Sequence, residues 1–365
     1  MSDSRTRRLI LTCAAGLSVL LVVIIAGKSA FGKRMDKETE SCPVPVNLNE
    51  TLTNEMSDTS CLAGFDKIVK GYLTYWGIHG ASLSVMRNDS LLFAKGYGEA
   101  DTDKKMGPGN ILRMASVSKL VTAVGIMVLQ GRGLLSIKDH VFGPDGILND
   151  SAYVAAIKDT LYNRITVEDL LRHKGGFSKR GGDPMFSTRW IMMQNGWKEV
   201  PTQEQLMELQ LKRRVKFVPG TAQEYSNFGY LALSMVIEKV SGMDYETFMQ
   251  ENVLRPIGCV DFHIAGNYYK HKLPNETRYY VQHDDEPAEE FNNSGRKVIR
   301  CYGGNNVTGL SGAGAWAAST PELALLVASI DGRPEVPDII SKESVDQMTE
   351  YFDESTYSLG WNDTK

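Results

Sequence analysis

The sequence predicts a mixed α/β fold of the α+β class, in which a β-sheet is flanked by helices and carries a helical subdomain. Two short apolar runs, residues 81–86 and 91–95, enclose an Arg-Asn-Asp-Ser turn and are typical of a β-hairpin. Several segments with helical periodicity follow the hairpin, and a strand-like stretch lies near residues 357–361. Strands near both ends with helices between them indicate a mixed domain with a helical insertion.

Capping residues mark most of the predicted helix boundaries. The first helix follows Ser60 and places these apolar side chains on one face: Leu62, Phe65, Ile68, Val69, Tyr72 and Trp76. The later helices are predicted at these places: residues 116–129, from Thr166, from Thr202 with a capping box to Gln205, residues 228–240 before Gly242, and from Thr320. Residues 267–300 are polar and poorly periodic, which predicts a long surface excursion.

Composition excludes several classes of function. A chain of 365 residues can bury one large core, or a core and a subdomain. Its net charge of −4 is made of interspersed positive and negative residues, so we predict no nucleic-acid partner. The six histidines show no metal-ligand spacing and no glycine-rich loop has phosphate-binding spacing, which predicts neither a metal site nor a cofactor.

The first part of the chain predicts a membrane anchor. Residues 9–27 form an uncharged apolar run long enough to span a bilayer as a helix. We therefore predict a short cytoplasmic tail (residues 1–8), a transmembrane signal anchor (9–27), a stalk (28–60) and a globular domain (61–365). This arrangement predicts a single-pass membrane protein with a lumenal or extracellular body. A cleaved signal peptide, giving a secreted protein, and an organelle transit peptide are the alternatives.

Sequons and cysteines bear on the compartment of the domain. Asn-x-Ser/Thr triplets predict glycosylation at these residues: Asn49, Asn88, Asn149, Asn275, Asn292, Asn306 and Asn362. Several sequons along one chain favour a lumenal or extracellular body. The cysteines outside the apolar run are an even set of disulfide candidates: Cys42, Cys61, Cys259 and Cys301. Unpaired thiols in a reducing compartment are the alternative, because a domain of this size needs no disulfides.

Ser116 and Lys119 are the candidate catalytic pair. They lie three residues apart at the start of an apolar helix, so the hydroxyl and the amine fall on one face. A serine hydroxyl needs a nearby base to act as a nucleophile, and a lysine can serve when burial lowers its pKa. The Ser116 N–H at the helix start can also contribute to an oxyanion hole. A second Ser-x-x-Lys, at residues 294–297, lies in a polar stretch without helical periodicity, and we interpret it as a chance match.

Tyr225 and Asn227 form a second motif. Tyr225-Ser226-Asn227 is the only Tyr-x-Asn of the chain, and it follows a Pro-Gly pair and precedes an apolar helix. Tyr225 can accept or relay a proton, and Asn227 can donate a hydrogen bond to a substrate amide. Such a turn can also be a purely structural cap.

With these motifs the chain resembles the serine β-lactamase and penicillin-recognising family, in its class C, D-alanyl-D-alanine carboxypeptidase and esterase branch. The likeness runs in order from the hairpin through these further segments: Ile165-Thr-Val-Glu-Asp-Leu-Leu-Arg-His173, Phe217-Val-Pro-Gly-Thr-Ala-Gln-Glu-Tyr-Ser-Asn227, Arg255-Pro-Ile-Gly258, residues 311–324 and Tyr357-Ser-Leu-Gly-Trp361. The resemblance implies Ser116 as the nucleophile, Lys119 and Tyr225 as the proton-handling pair, and Asn227 as a substrate contact. It also implies a β-lactamase/transpeptidase-like antiparallel sheet.

The chain departs from the family pattern at three positions. The family's His-x-Ser-Gly is His-Lys-Gly-Gly at residues 173–176, and the acid of a later motif is out of register, so that Glu322 is the nearest stand-in. The third family motif, Lys/His-x-Gly, does not follow Asn227. The resemblance implies that this motif lies on a sheet strand and supplies the second N–H of the oxyanion hole. We therefore expect the last sheet strands to be missing and the chain to be a shortened form of a longer protein.

Two functions follow from the sequence. The first is a membrane-anchored serine hydrolase or peptidase that forms an acyl-enzyme on an amide, ester or peptide substrate. The second is a non-catalytic relative that keeps the fold as a binding or scaffolding module, with a truncated, non-folding isoform as a further alternative. The sequence leaves the substrate and the oligomeric state open.

Overall fold

The structure, a computed structural model, describes residues 47–179, 182–281, 286–350 and 357–362. Within these ranges the strands are β1 (Gly80–Arg87), β2 (Ser90–Asp101), β3 (Lys104–Lys105), β4 (Leu112–Arg113), β5 (His263–Ile264), β6 (Ala288–Glu289), β7 (Lys297–Val298) and β8 (Trp316–Ala318). The α-helices are α1 (Leu48–Thr51), α2 (Ala63–Trp76), α3 (Ser118–Gly131), α4 (Ser151–Ala156), α5 (Val167–Leu171), α6 (Thr188–Asn195), α7 (Gln203–Leu211), α8 (Asn227–Ser241), α9 (Tyr245–Met249), α10 (Ser311–Gly314), α11 (Thr320–Ala328) and α12 (Lys342–Thr349).

The predicted hairpin is the longest sheet element. β1 and β2 pair antiparallel around Asn88 and Asp89, whose φ angles of 46° and 53° are those of the tight turn that suits a twisted hairpin. β3 extends the sheet beyond β2 in the order β1-β2-β3. A second small sheet has the order β4-β8-β5, with all neighbours antiparallel. β8 is fully buried, and the Trp316 indole N–H donates to the Tyr245 hydroxyl at 3.0 Å.

Helices α3 and α8 form the centre of the core. Almost every residue of α3 is buried, and α8 is buried along most of its length. A helix that is apolar on all sides fits only where other elements cover it, and here α5, α9 and α10 pack around the pair. These contacts hold the first turn of α3 and the first turn of α8 next to each other.

The capping signals locate the helices closely. Thr166 and Asp169 form a capping box at α5, and Thr202 and Gln205 form one at α7. Gly242, with a φ of 69°, ends α8 in the left-handed conformation that glycine adopts without strain. These predictions agree with the structure because a cap depends on residues close in the sequence.

The apolar face predicted for the first helix exists, but it is not buried within the described part of the chain. In α2 the side chains of Ile68, Tyr72 and Trp76 are 69%, 59% and 62% exposed. Nearer the start of the helix, the half-buried Phe65 ring lies 5.2 Å from the ring of Phe93. The adjacent Asp66 contacts Lys95 at 3.0 Å and accepts from the Tyr97 hydroxyl at 2.8 Å. The predicted apolar face is therefore covered only in part.

The boundary predicted between stalk and domain at residue 61 stays a prediction, and the structure shows contacts that cross it. The Asn54 side chain accepts from the Gly96 N–H at 2.8 Å and donates to the Met106 carbonyl at 2.9 Å. The Ser57 hydroxyl donates to the Ala94 carbonyl at 2.9 Å and accepts from the Ala94 N–H at 3.0 Å. Residues 47–60 therefore lie against the folded domain.

The predicted single-pass membrane localisation is not supported, and we withdraw it. Among the helices of the described ranges, none is both long and apolar enough to cross a bilayer. The apolar run at residues 9–27, on which that prediction depended, lies outside the described residues, as do residues 1–8 and the first part of the predicted stalk.

Two predicted glycosylation sites do not fit the folded domain. The Asn49 Nδ2 donates to Asp261 and to Glu322, and the Asn275 Nδ2 donates to Asp261 and to the Gly109 carbonyl. A glycan attached to either nitrogen would replace a hydrogen that the fold uses. Glycosylation stays a prediction at the remaining sites, of which these side chains are exposed: Asn88, Asn149 and Asn362.

The disulfide candidates likewise include one that does not fit the structure and others that stay predictions. Cys259 is buried with a free thiol that donates to the Glu322 carbonyl at 3.3 Å, so its candidacy for a disulfide does not fit this structure. The Cys301 thiol lies 3.6 Å from the Tyr279 carbonyl. Cys42 lies outside the described residues and the side chain of Cys61 is not described, so their pairing stays a prediction.

Gly360 gives a stability prediction for the segment that covers α3. Its φ is +85°, and a Cβ there would lie 2.6 Å from the Cβ of Ala123. Gly360→Ala is therefore expected to lower the free energy of unfolding by about 2–4 kcal/mol, from left-handed strain and overpacking together. Urea denaturation measures this change.

Gly196→Ala is the matched control, because Gly196 has a φ of +65° and nothing within 4 Å of its Cβ position. It should cost only the strain of about 1–2 kcal/mol. Equal losses in the two variants would show that Gly360 does not pack against α3 in solution.

Candidate active site

The chain presents Ser116 through a strained turn between β4 and α3. The Met114 N–H donates to the Trp316 carbonyl at 2.8 Å, and the next residue, Ala115, has a φ of +47°. A left-handed alanine is costly, and such strain is concentrated at functional sites. The short 3₁₀ turn Ala115–Val117 then leads into α3 with the Ser116 side chain exposed. Ser118 is buried, and its Oγ accepts from the Trp316 N–H at 3.1 Å, which fixes the start of the helix on β8.

Lys119 lies one turn later on the same face, as its spacing predicts, and is only 4% exposed. Its Nζ donates to the Asn227 Oδ1 at 2.8 Å and to the Ala313 carbonyl at 2.6 Å, and it lies 3.3 Å from the Ser116 Oγ. A neutral amine has two N–H groups and one lone pair. With the two N–H groups donated to Asn227 and Ala313, the lone pair faces the serine hydroxyl.

Burial favours this neutral form. Removal from water disfavours the ammonium and lowers the pKa of Lys119 to about 7, against the opposing pull of the nearby Asp183 carboxylate. At neutral pH a substantial fraction of Lys119 is therefore able to accept a proton.

Tyr225 reaches the same oxygen from the other side. Its hydroxyl lies 2.5 Å from the Ser116 Oγ, and its ring centre lies 4.7 Å from the Lys119 Nζ. Burial raises the pKa of Tyr225, so the phenol stays protonated at neutral pH. The next residue, Ser226, caps α8 by accepting from the Gly229 N–H at 3.1 Å.

His173, the first residue of the altered His-Lys-Gly-Gly segment, packs against the turn that carries Tyr225. Its Nδ1 accepts from the Ser226 N–H at 3.1 Å, which leaves the ring proton on Nε2. Its ring packs against the rings of Tyr225, Tyr230 and Tyr357 at 4.5, 5.2 and 4.8 Å. Burial, together with the charge of Lys119, lowers the pKa of His173 to about 3, so the ring is neutral at working pH.

Asn227 lies inside the site, although its predicted contact with substrate stays a prediction. Its Oδ1 accepts from Lys119, and its Nδ2 donates to the Asp183 Oδ2 at 2.7 Å. Asp183 was not predicted as a site residue, because an Asp-Pro pair is an ordinary start for a helical turn. Only the tertiary fold brings residue 183 to residue 227.

Two further sequence predictions lie outside this cluster. The Ser294 hydroxyl contacts Glu290, and the Lys297 Nζ lies 2.7 Å from the Glu289 Oε1, so the second Ser-x-x-Lys has separate partners for its serine and its lysine. Glu322 is buried, and its Oε1 accepts from the N–H groups of residues 260 and 261 at 2.7 and 3.0 Å. Glu322 therefore ties α11 to the loop before β5, and it has no contact with Ser116.

An exposed serine at a helix start, with a buried lysine and a tyrosine on its oxygen, is the arrangement of a serine acyl-transfer site. The family model for Beta-lactamase matches residues 65–364 of the chain, which covers most of its length. The chain therefore belongs to the beta-lactamase family, as the sequence motifs predict.

Curated relatives agree with the family. Penicillin-binding protein 4* of Bacillus subtilis is 24% identical over 188 residues, which cover 51% of this chain and 37% of the relative. A putative D-alanyl-D-alanine carboxypeptidase of Escherichia coli O157:H7 is 23% identical over 234 residues, covering 60% and 49%. Protein flp of Staphylococcus aureus strain MW2 is 28% identical over 225 residues, covering 60% and 39%. The chain spans less than half the length of these relatives.

Solved structures confirm the mixed α/β fold. The octameric penicillin-binding protein homologue from Pyrococcus abyssi has a TM-score of 0.59 at 22% identity, covering 82% of this chain and 64% of that chain. The D-amino acid amidase from Ochrobactrum anthropi SV3 with L-phenylalanine has a TM-score of 0.59 at 18% identity, covering 81% and 79%. FmtA from Staphylococcus aureus has a TM-score of 0.58 at 17% identity, covering 94% and 80%.

Proposed function

We propose that this chain is a serine hydrolase that acts through an acyl-enzyme on an amide, ester or peptide bond of a small molecule or peptide. The observation that carries the proposal is the placement of two proton-handling groups on one serine oxygen. The Tyr225 hydroxyl lies 2.5 Å and the Lys119 amine 3.3 Å from the Ser116 Oγ. A structural helix cap needs neither group.

Acylation follows from the pKa directions of these two groups. Neutral Lys119 takes the proton of the Ser116 hydroxyl as Oγ bonds to the substrate carbonyl carbon. Tyr225, which stays protonated, gives its proton to the leaving amine or alcohol as the carbon–nitrogen or carbon–oxygen bond breaks, and Lys119 reprotonates it. The Ser116 N–H at the start of α3 donates to the developing oxyanion.

Deacylation reverses the proton movements with water in place of the leaving group. Tyr225 passes its proton to Lys119 and takes the proton of the attacking water, whose oxygen bonds to the acyl carbon. The bond to Oγ then breaks as Lys119 returns a proton to Ser116. The names of the carboxypeptidase and amidase relatives support amide substrates, without naming the one this chain uses.

Active-site labelling tests the proposal. Folded protein is incubated with a fluorophosphonate and, separately, with a fluorescent penicillin, and the adduct is located by peptide mass spectrometry. We expect labelling at Ser116, none in Ser116→Ala, and full labelling in Ser294→Ala, which removes the serine of the second Ser-x-x-Lys. Folded protein that forms no adduct at Ser116 with either probe would refute the hydrolase and favour a binding module.

A further inference from the structure

Asp183 lies at the end of the hydrogen-bond chain behind Ser116. The chain runs from the Ser116 Oγ to the Lys119 Nζ, on to the Asn227 Oδ1, and from the Asn227 Nδ2 to the Asp183 Oδ2. The last two bonds measure 2.8 and 2.7 Å, which are normal lengths for N–H···O hydrogen bonds. Neither the resemblance nor the motif spacing assigns any role to this aspartate.

The Asp183 carboxylate fixes the orientation of the Asn227 amide. An ionised carboxylate only accepts hydrogen bonds, so the end of the amide that faces it must be the NH₂ group. The oxygen end then faces Lys119. If the amide were reversed, its NH₂ group would meet the N–H donors of Lys119, and its oxygen would meet the carboxylate.

Asp183 is itself held rigidly. Its Oδ1 accepts from the Met185 N–H at 3.0 Å, which caps the 3₁₀ turn Pro184–Phe186. Its backbone carbonyl accepts from the Ser187 hydroxyl at 2.7 Å. Pro184 and Met185 are buried, so the turn is anchored in the core. Both carboxylate oxygens therefore have a fixed partner.

We propose that Asp183 is a positioning residue of the Ser116 site, which acts through Asn227 to direct the lone pair of Lys119 at the serine hydroxyl. The inference rests on the proposed function, because it assigns a role within the same reaction. An oriented Asn227 Oδ1 takes one N–H of Lys119 and the Ala313 carbonyl takes the other. Without Asp183 the amide can rotate, and the lone pair of the amine loses its fixed direction.

The charge of Asp183 gives the proposal a pH signature. Its negative charge raises the pKa of Lys119, against the larger lowering by burial. Among the described residues, the other titratable groups around the amine are Tyr225, Tyr230 and His173, with Lys179 and Tyr357 facing the Tyr225 ring. None of these is removed by a change at Asp183, so neutralising the aspartate isolates its contribution.

The test compares Asp183→Asn, which removes the charge and keeps one oxygen acceptor, with Asp183→Ala, which removes both. The matched control is Asp159→Asn. Asp159 caps the 3₁₀ turn Thr160–Arg164 by accepting from the Leu161 N–H at 3.1 Å, in the same i,i+2 arrangement, and its other oxygen accepts from the Val215 N–H. The control therefore makes the same Asp→Asn change at a capping residue outside the Ser116 site.

Two readouts are measured in the full chain. The titration midpoint of Lys119 is read by NMR of ¹³C-labelled lysine, and the rate of Ser116 labelling is read against pH with the fluorophosphonate. We expect the midpoint to move to lower pH in both Asp183 variants and not in Asp159→Asn. We also expect the plateau labelling rate to fall about 10-fold or more in Asp183→Ala, from misplacement of the amine.

An unmoved Lys119 midpoint in folded Asp183→Asn would overturn the proposal, as would a loss of labelling no larger than that of Asp159→Asn. The lysine titration needs no activity, so it decides the role of Asp183 even if the wild-type chain is not labelled. Absence of wild-type labelling alone counts against the proposed function.

Discussion

Replacing Lys119 with arginine is expected to lower the maximal rate of Ser116 acylation by about 10²–10⁴-fold, the usual contribution of a general base. The guanidinium keeps the positive charge and the hydrogen-bond donors but cannot lose a proton at working pH. The side chain therefore has no lone pair to receive the serine proton. Acylation rates are measured with the fluorophosphonate over a range of pH.

The pH profile separates this role from a structural one. In the wild-type chain the rate should rise with pH through about 7, as the buried amine loses its proton. Lys119→Arg should lack that rise. Lys95→Arg is the matched control, because Lys95 on β2 is also buried but pairs with Asp58 and with Asp66 of α2. A Lys119→Arg variant that keeps both the rate and the rise would show that another group is the base.

His173→Asn is expected to make the fold less sensitive to acid. The pKa of His173 is about 3 in the folded chain and about 6.5 when unfolded, so above pH 6.5 the ring is neutral in both states. Between these values only the unfolded state binds the proton, and stability falls as pH decreases. For one such group the loss between pH 7 and pH 5 is about 2 kcal/mol.

Asparagine removes the titration while suiting the backbone, because residue 173 has a φ of +58° and asparagine tolerates the left-handed conformation. Urea denaturation at pH 7 and pH 5 should show a loss of unfolding free energy that is about 2 kcal/mol smaller in His173→Asn than in wild type. The exposed His140→Asn serves as the control. Equal losses in wild type and His173→Asn would mean that the ring is not buried as the structure shows.

The sequence predicted those parts of the site that depend on local geometry or on a motif. Ser116 and Lys119 share a face because they are three residues apart on a helix. Tyr225 and Asn227 were recognised by their motif, since nothing in the periodicity of the chain says that residues over 100 positions apart meet. Asp183 was missed because the residues next to it in the sequence predict only a turn. Its contact with Asn227 depends on the tertiary fold.

The predictions about the fold also divide into those that depend on neighbouring residues and those that depend on tertiary contacts. Helix caps such as those at Thr166 and Thr202 were located closely, because the partners of a cap lie within one turn. The polar composition of residues 47–60 predicted a stalk, but hydrogen bonds from Asn54 and Ser57 to distant backbone groups hold the segment on the domain. A polar side chain can serve either solvent or a distant backbone group, and composition does not distinguish the two.

The same contacts of Asn54 and Ser57 have a consequence for aggregation. On the outer edge of β2, the Ala94 N–H and C=O and the Gly96 N–H could template a strand from another molecule if they had no partner. Asn54 and Ser57 occupy these groups with side-chain bonds, which a neighbouring strand cannot extend as it would a paired strand. A fragment expressed from residue 61 would lack Asn54 and Ser57. We therefore expect its β2 edge to be unpaired and the fragment to aggregate more readily.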